Sequence, residues 1–274
     1  MTVGLQVFNI NNEPIIDTNY INYGLKAKVG INTLPKGAPS NNIYPWLVSG
    51  WYYIDVAGVA PIIFGDGMLS IPTVEYLSSN KWRYFIELYS TNNIYIFDLM
   101  SSILPNGSPK GVGFESYKDD GSLIFTTALK PLKIIQTSKL AGSAAAPGYG
   151  DFQAYGMYWG SDPTKKGENG SSIGPGNGYS DQWIVSNVPQ SPKTLAATMT
   201  RYRYGAAGSS TETSYGDALI EVTQVNNTSS TKTVKAFPGG TSISGEDFGG
   251  FYGQVLDSVD GFEPYILIAD VSGY

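Results

Sequence analysis

The sequence predicts an all-β chain, and three observations carry that reading. Apolar and polar residues alternate with period two in segment after segment, as in residues 25–31, where Leu25, Ala27, Val29 and Ile31 face one way and Lys26 and Lys28 the other. Glycine occurs 33 times and aromatics make up 13% of the chain, with 20 tyrosines, a composition suited to pleated sheets joined by tight turns. Apolar residues at helical spacing are scarce; only residues 195–203 suit a short helix, and residues 198–204 read equally well as a strand.

In chain order, Leu5-Gln6-Val7-Phe8 makes a first strand, residues 9–12 a turn, and Pro14-Ile15-Ile16-Asp17 a second, together a hairpin. Residues 25–31, 44–49, 51–56, 73–77, 82–89 and 93–98 follow as strands. The run Ala141-Gly142-Ser143-Ala144-Ala145-Ala146-Pro147-Gly148 has small side chains and no pattern. It is either a flexible linker or a stretch of close backbone approach. Taken as a linker over residues 139–149, it divides the chain into an N-terminal antiparallel β-sandwich-like module (1–138) and a loop-rich β domain (150–274). In the latter, strands are expected near 181–185, 218–225, 231–236 and 265–269.

Two segments of the first half match. Gly4-Leu5-Gln6-Val7-Phe8-Asn9 aligns with Gly113-Phe114-Glu115-Ser116-Tyr117-Lys118. Pro14-Ile15-Ile16-Asp17-Thr18 aligns with Leu123-Ile124-Phe125-Thr126-Thr127, and Gly24-Leu25-Lys26 with Pro131-Leu132-Lys133. Asp120-Gly121 is a strong turn dipeptide, because glycine tolerates positive φ. Both segments are therefore expected to form antiparallel hairpins of one module.

Composition removes several chemistries. With no cysteine and no histidine, disulfides, thiolate metal sites, Ser-His-Asp triads and Cys-His pairs cannot exist. The net charge of −6 disfavours a phosphate backbone as partner. The remaining catalytic option is a carboxylate pair, as in glycoside hydrolysis. Asp119-Asp120, Asp151, Asp162, Asp181, Glu212, Asp217 and Glu246-Asp247 are the acidic candidates, and none forms a distinctive pair. Asp119-Asp120-Gly121-Ser122 resembles a calcium loop but lacks the regular ligand alternation and the distal glutamate; it reads as a turn. No catalytic residue, metal site or cofactor is expected. Asn106, Asn169 and Asn226 head glycosylation-type triplets of the kind an Asn- and Ser-rich chain produces by chance.

The aromatics are more informative. Trp46, Trp51, Tyr52, Tyr53, Trp82 and Tyr84 lie in strands and are expected in the core. Tyr149, Phe152, Tyr155, Tyr158, Trp159, Tyr179, Trp183, Tyr202, Tyr204 and Tyr215 sit among Gly, Ser and Asn in expected loops. Loop aromatics suit either subunit packing or recognition of a surface, including stacking on sugar rings. Tyr158, Trp159, Tyr179 and Trp183 are the candidate binding residues.

The opening segment from Gly4 to Asp17, with Pro72-Thr73-Val74-Glu75, the apolar strand around residues 82–85 and the hairpin of residues 113–127, resembles a family of minor tail proteins of lambda-like long-tailed bacteriophages. The resemblance covers about residues 2–135. It departs from the family at residues 10–14, which lack the usual Asp-Gly turn. It implies a non-enzymatic virion component of the tail tip or tail fibre that aids host adsorption and contacts other tail proteins. By analogy it also implies a homo-oligomer, most simply a trimer. The second half matches no family pattern. Alternatives are a lectin-like receptor-binding protein for host polysaccharide or an outer-membrane protein and, less well supported, a polysaccharide depolymerase. Met1-Thr2-Val3-Gly4 carries no basic start or apolar core of a signal peptide, and no apolar run approaches the roughly 18 residues of a membrane span. The expectation is synthesis in the host cytoplasm and incorporation into the virion.

Overall fold

The computed structural model describes residues 6–8, 14–17, 22–39, 51–88, 93–106, 113–139, 184–188, 194–200, 202, 204–208, 215–227, 232–244 and 265–274. Within them the chain is nearly all strand. The first part contributes β1 (Gln6–Phe8), β2 (Pro14–Asp17), β3 (Tyr23–Gly30), β4 (Tyr52–Ala57), β5 (Ile62–Gly65), β6 (Met68–Ser78), β7 (Lys81–Leu88) and β8 (Asn93–Leu99). One turn of helix, α1 (Met100–Ile103), follows. Then come β9 (Glu115–Tyr117), β10 (Leu123–Thr126), β11 (Ile134–Lys139), β12 (Ile184–Val188), β13 (Leu195–Met199), β14 (Tyr204–Gly208), β15 (Tyr215–Asn226), β16 (Lys232–Ser244) and β17 (Tyr265–Asp270). The strand expected at 44–49 lies outside the described residues.

Two large antiparallel sheets form. One has the order β11-β17-β13-β5-β8-β3, the other β12-β16-β15-β6-β7-β4, with β14 added on β15. Both sheets draw strands from both sides of residues 139–149. This corrects the two-module division. β11 ends at Lys139, and its partner in the ladder is β17, at the far end of the chain, from Ile134 opposite Ala269 to Lys139 opposite Tyr265. A composition change at residue 140 therefore does not mark a fold boundary; non-local strand pairing crosses it.

The two sheets pack face to face. On one side Val56, Ile63, Leu69, Tyr84, Ile86, Ile94 and Ile96 fill the space between them. On the other, Leu195, Ala197, Met199, Tyr202, Val225, Val234, Ile266 and Ile268 do so. The opposite face of the six-stranded sheet buries Phe64, Tyr95, Phe97, Ala196, Ala269 and Val271. A sheet can bury both faces only if it is covered twice or curls on itself. Here the edges β3 and β11 approach each other at their starts, where Gly24 bridges Pro131. The Leu25 N–H donates to Lys130 O at 2.7 Å and the Leu132 N–H to Tyr23 O at 2.8 Å. The six-stranded sheet is thus a nearly closed barrel, with the seven-stranded sheet on its outside.

Both expected hairpins are present as separate two-stranded antiparallel ladders, β1-β2 and β9-β10. Gly113, which opens the second, has φ +113 and comes so close to Thr127 that an added Cβ would lie 2.0 Å from its Oγ1. Only glycine fits that entry. The hairpin buries Leu123, Ile124 and Phe125 against Met100 of α1.

Of the segment read as either a short helix or a strand, residues 195–199 form the strand β13. All five of its residues are buried, because it sits in the middle of its sheet with the barrel core on one face and the second sheet on the other. Tyr202 lies between strands but is 6% exposed within the core, and Tyr204 and Tyr215 are not in loops but begin β14 and β15. Among the described residues, no helix is long and apolar enough to cross a membrane.

Candidate functional site: a neutral cavity at the seam

A concave feature among the described residues lies where strands from the two ends of the chain meet. There the pairing is short. β5 and β13 share the pair Gly65 and Ala197, and β6 and β15 share Leu69 with Thr223 and Met68 with Gln224. Beyond these pairs the strands diverge and leave a cavity of about 500 Å³ lined by Ile63, Ile71, Val74, Tyr84, Met199 and Tyr202, among others. That volume is within the range of small-molecule pockets, roughly 300–1,000 Å³. Val74 lines the cavity and is also 43% exposed, so the space opens to the surface there.

The hydroxyls of Tyr84, Thr198 and Tyr202 in its lining are engaged by the fold. The Tyr84 hydroxyl donates to Pro61 O at 2.5 Å. The Tyr202 hydroxyl accepts the Met199 N–H at 3.3 Å and lies 3.3 Å from Thr198 Oγ1 and 3.4 Å from Thr223 Oγ1. Thr223 in turn donates to Leu69 O at 3.1 Å, so a buried chain of hydroxyls ties one sheet to the other. Asn227 adds a second tie. Its side-chain oxygen accepts the Leu195 N–H at 2.9 Å, and its amide donates to Leu195 O at 2.9 Å and Asp66 O at 3.2 Å.

Among the described residues, no acidic or basic side chain lines the cavity. Burial first, then the negative charge of Asp98 and the neighbouring Tyr23, push the Tyr84 phenol up to about 12. It therefore stays protonated near neutrality and is no general base. The chemistry on offer is retention of an uncharged, mainly apolar group, not proton transfer.

A pH dependence follows. Burial, then Asp66, also pushes Tyr95 up to about 12. Below about pH 10, the ordinary tyrosine value, both phenols are protonated whether the chain is folded or unfolded. Above it the unfolded chain releases these protons while the fold must retain them, so stability falls as pH rises from about 10 through 12. Urea denaturation at about pH 9 and 11 should show this decline. A Tyr84→Phe, Tyr95→Phe double variant should show a shallower one; an unchanged slope would remove these phenols as its cause.

The candidate binding residues Tyr158, Trp159, Tyr179 and Trp183 lie outside the described residues, as do Asp151, Asp162, Asp181, Glu212 and Glu246-Asp247. Asp119-Asp120 occupies the β9-β10 turn, where Asp120 accepts the Ser122 hydroxyl at 2.6 Å and the Ser122 N–H at 2.9 Å. Those bonds hold its carboxyl below the usual range. Asp217 lies in β15, opposite Ser242. Among the described residues, no group of three or more Asp or Glu side chains is placed to hold a metal.

A buried polar cluster around Asp98 was not legible in the sequence. Asp98 is fully buried. It accepts from the Leu99 N–H at 2.9 Å, the Ser102 hydroxyl at 2.9 Å and the Ala60 N–H at 3.1 Å, and pairs with Lys26 at 3.4 Å. A Cβ on Gly58 would lie 2.0 Å from its Oδ2. The only signal was an aspartate ending an apolar strand. Its role is to fasten β3, the β4-β5 turn and α1 together. In comparisons with known protein families, curated proteins and solved structures, the chain matches none.

Proposed function

We propose that this chain is a non-enzymatic structural protein of a bacteriophage tail, at the tip or fibre, that takes part in host adsorption. The observation that carries the proposal is the pair of Gly-initiated hairpins and the strands that follow them, whose residues resemble lambda-like minor tail proteins. Two features support a binding rather than a catalytic role. The buried carboxylates Asp98 and Asp270 are committed to ion pairs with Lys26 and Lys133, and the described side chains that line the seam cavity are apolar or carry hydroxyls. The proposal includes contacts with neighbouring tail proteins and a homo-oligomeric, trimeric form. Adsorption through several copies gains avidity without new contacts.

The test uses the virus. Phage carrying Trp159→Ala and Trp183→Ala are scored separately for particle yield and for adsorption to host cells. Normal yield with adsorption reduced about tenfold or more, a total effect of about 1.4 kcal/mol or more, supports a host-facing role for these aromatics. Loss of particles assigns them to subunit packing. Normal yield and normal adsorption remove them from the site.

A further inference from the structure

We infer that the chain is two copies of one unit, with eight equivalent strands each among the described residues, fused in tandem about an approximate two-fold axis, so that it folds as a covalent pseudo-dimer. The first unit comprises β1 to β8 and the second β9 to β17, with β14 as an addition.

Strand order is the first observation. Read outward from the seam, the barrel sheet runs β5-β8-β3 on one side and β13-β17-β11 on the other. With β14 set aside, these are the fifth, eighth and third strands of each unit. The second sheet runs β6-β7-β4 on one side and β15-β16-β12 on the other, the sixth, seventh and fourth.

Register is the second. In the first hairpin Gln6 pairs with Asp17, Val7 with Ile16 and Phe8 with Pro14. In the second Glu115 pairs with Thr126, Ser116 with Phe125 and Tyr117 with Leu123. Each pair has its counterpart, and both ladders skip at the same step, past Ile15 and Ile124. The same constant shift in numbering relates the edge strands. Leu25, Ala27, Lys28, Val29 and Gly30 face Phe97, Ile96, Tyr95, Ile94 and Asn93. Ile134, Gln136, Thr137, Ser138 and Lys139 face Ala269, Ile268, Leu267, Ile266 and Tyr265. Again both strands bulge at one position, Lys26 and Ile135. Bulges are specific features of a backbone, and two at equivalent places in two units are not expected of unrelated hairpins.

Sequence is the third. Under this alignment Ile94-Tyr95-Ile96-Phe97-Asp98-Leu99 matches Ile266-Leu267-Ile268-Ala269-Asp270-Val271. Both aspartates form a 3.4 Å ion pair with a lysine of the sequence leading through the edge strand. Each also accepts a backbone N–H just beyond it, from Leu99 and Ser272.

Symmetry is the fourth. A two-fold contact sets an element against its own counterpart. β5 lies antiparallel to β13 and β6 to β15, and the bridge that closes the barrel sets Tyr23 against its counterpart Leu132. The alignment also corrects two sequence readings. Residues 113–127 open a second unit instead of sharing one module with residues 4–18. Gly24 corresponds to Lys133, not Pro131, because the match must follow the ladders.

The experiment transplants one hairpin within the full chain. Residues 6–17 are replaced by the sequence of residues 115–126, which is equal in length and in register, or by residues 116–127, one position out. A shift of one residue turns every side chain to the wrong face. The in-register graft should unfold cooperatively within a few degrees of the parent, and the shifted graft about 10 °C or more lower, several kcal/mol at the usual conversion. Equal loss in both grafts, equal tolerance of both, or a better shifted graft would overturn the duplication.

Discussion

Replacing Asp98 by alanine should lower the unfolding free energy by roughly 3–5 kcal/mol, the range for breaking a buried ion pair by removing one partner. The carboxylate is fully buried and gathers Lys26, Ser102 and the backbone N–H groups of Ala60 and Leu99. Alanine leaves those donors facing a void, and each orphaned donor costs on the order of 1–3 kcal/mol. Asp98→Asn, which keeps one acceptor oxygen but turns an amide toward the cluster, should lose less. Asp270→Ala should lose less again, since its partner Lys133 is 58% exposed and solvent screens the pair. Urea unfolding of the three variants measures this order. A loss under about 1 kcal/mol for Asp98→Ala would mean that water can replace the carboxylate.

Phe97→Ala should cost about 3–5 kcal/mol, the usual range for truncating a buried phenylalanine. Phe97 is fully buried in the barrel. Its ring meets Phe64 edge-on at 5.6 Å and Tyr274 at 5.8 Å. Tyr274 is itself held across the barrel, its hydroxyl donating to Pro131 O and its backbone oxygen accepting from Lys28 at 3.1 Å. Removing the ring therefore empties the core and loosens the closure at Pro131. Ala269 is the counterpart of Phe97 in the second unit, and the two share one core. Ala269→Phe should accordingly overpack the barrel rather than stabilise it, at about 1–3 kcal/mol. Thermal unfolding should show a drop of about 10 °C for Phe97→Ala, at 2–4 °C per kcal/mol. A drop of only a degree or two would contradict the closed core.

Some of this fold was legible in the sequence, and the limits are physical. β7 shows the period, because Trp82, Tyr84 and Ile86 face the core between the sheets and Lys81 and Arg83 take the other face; in β3 the bulge at Lys26 breaks the expected one-sided pattern, so Leu25 packs into the barrel while Ala27 and Val29 pack between the sheets. β13 does not show it, because Leu195-Ala196-Ala197-Thr198-Met199 is buried on both faces and its alanines favour helix intrinsically. β5 was hidden inside the apolar run of residues 56–64. Tyr202 has polar and glycine neighbours in sequence but core neighbours in space. The repeat was visible where turn residues and apolar positions coincide, at the hairpins, and invisible in the larger sheets, where equivalence lies in ladder register. The seam cavity has no local signature, since it is made where β5 and β6 diverge from β13 and β15. The boundary at residues 139–149 was misplaced because small residues mimic a linker, while the β11-β17 ladder that crosses it joins residues far apart in the chain.

The proposed function places the protein on the virus particle. The direct measurement is immunogold labelling of purified virus particles with antibody to this chain, alongside mass spectrometry of the same particles and a low-resolution map to place the label. The proposal predicts the chain in every particle, with label at the tail end. Particles that lack the chain, or label on the capsid, would contradict it.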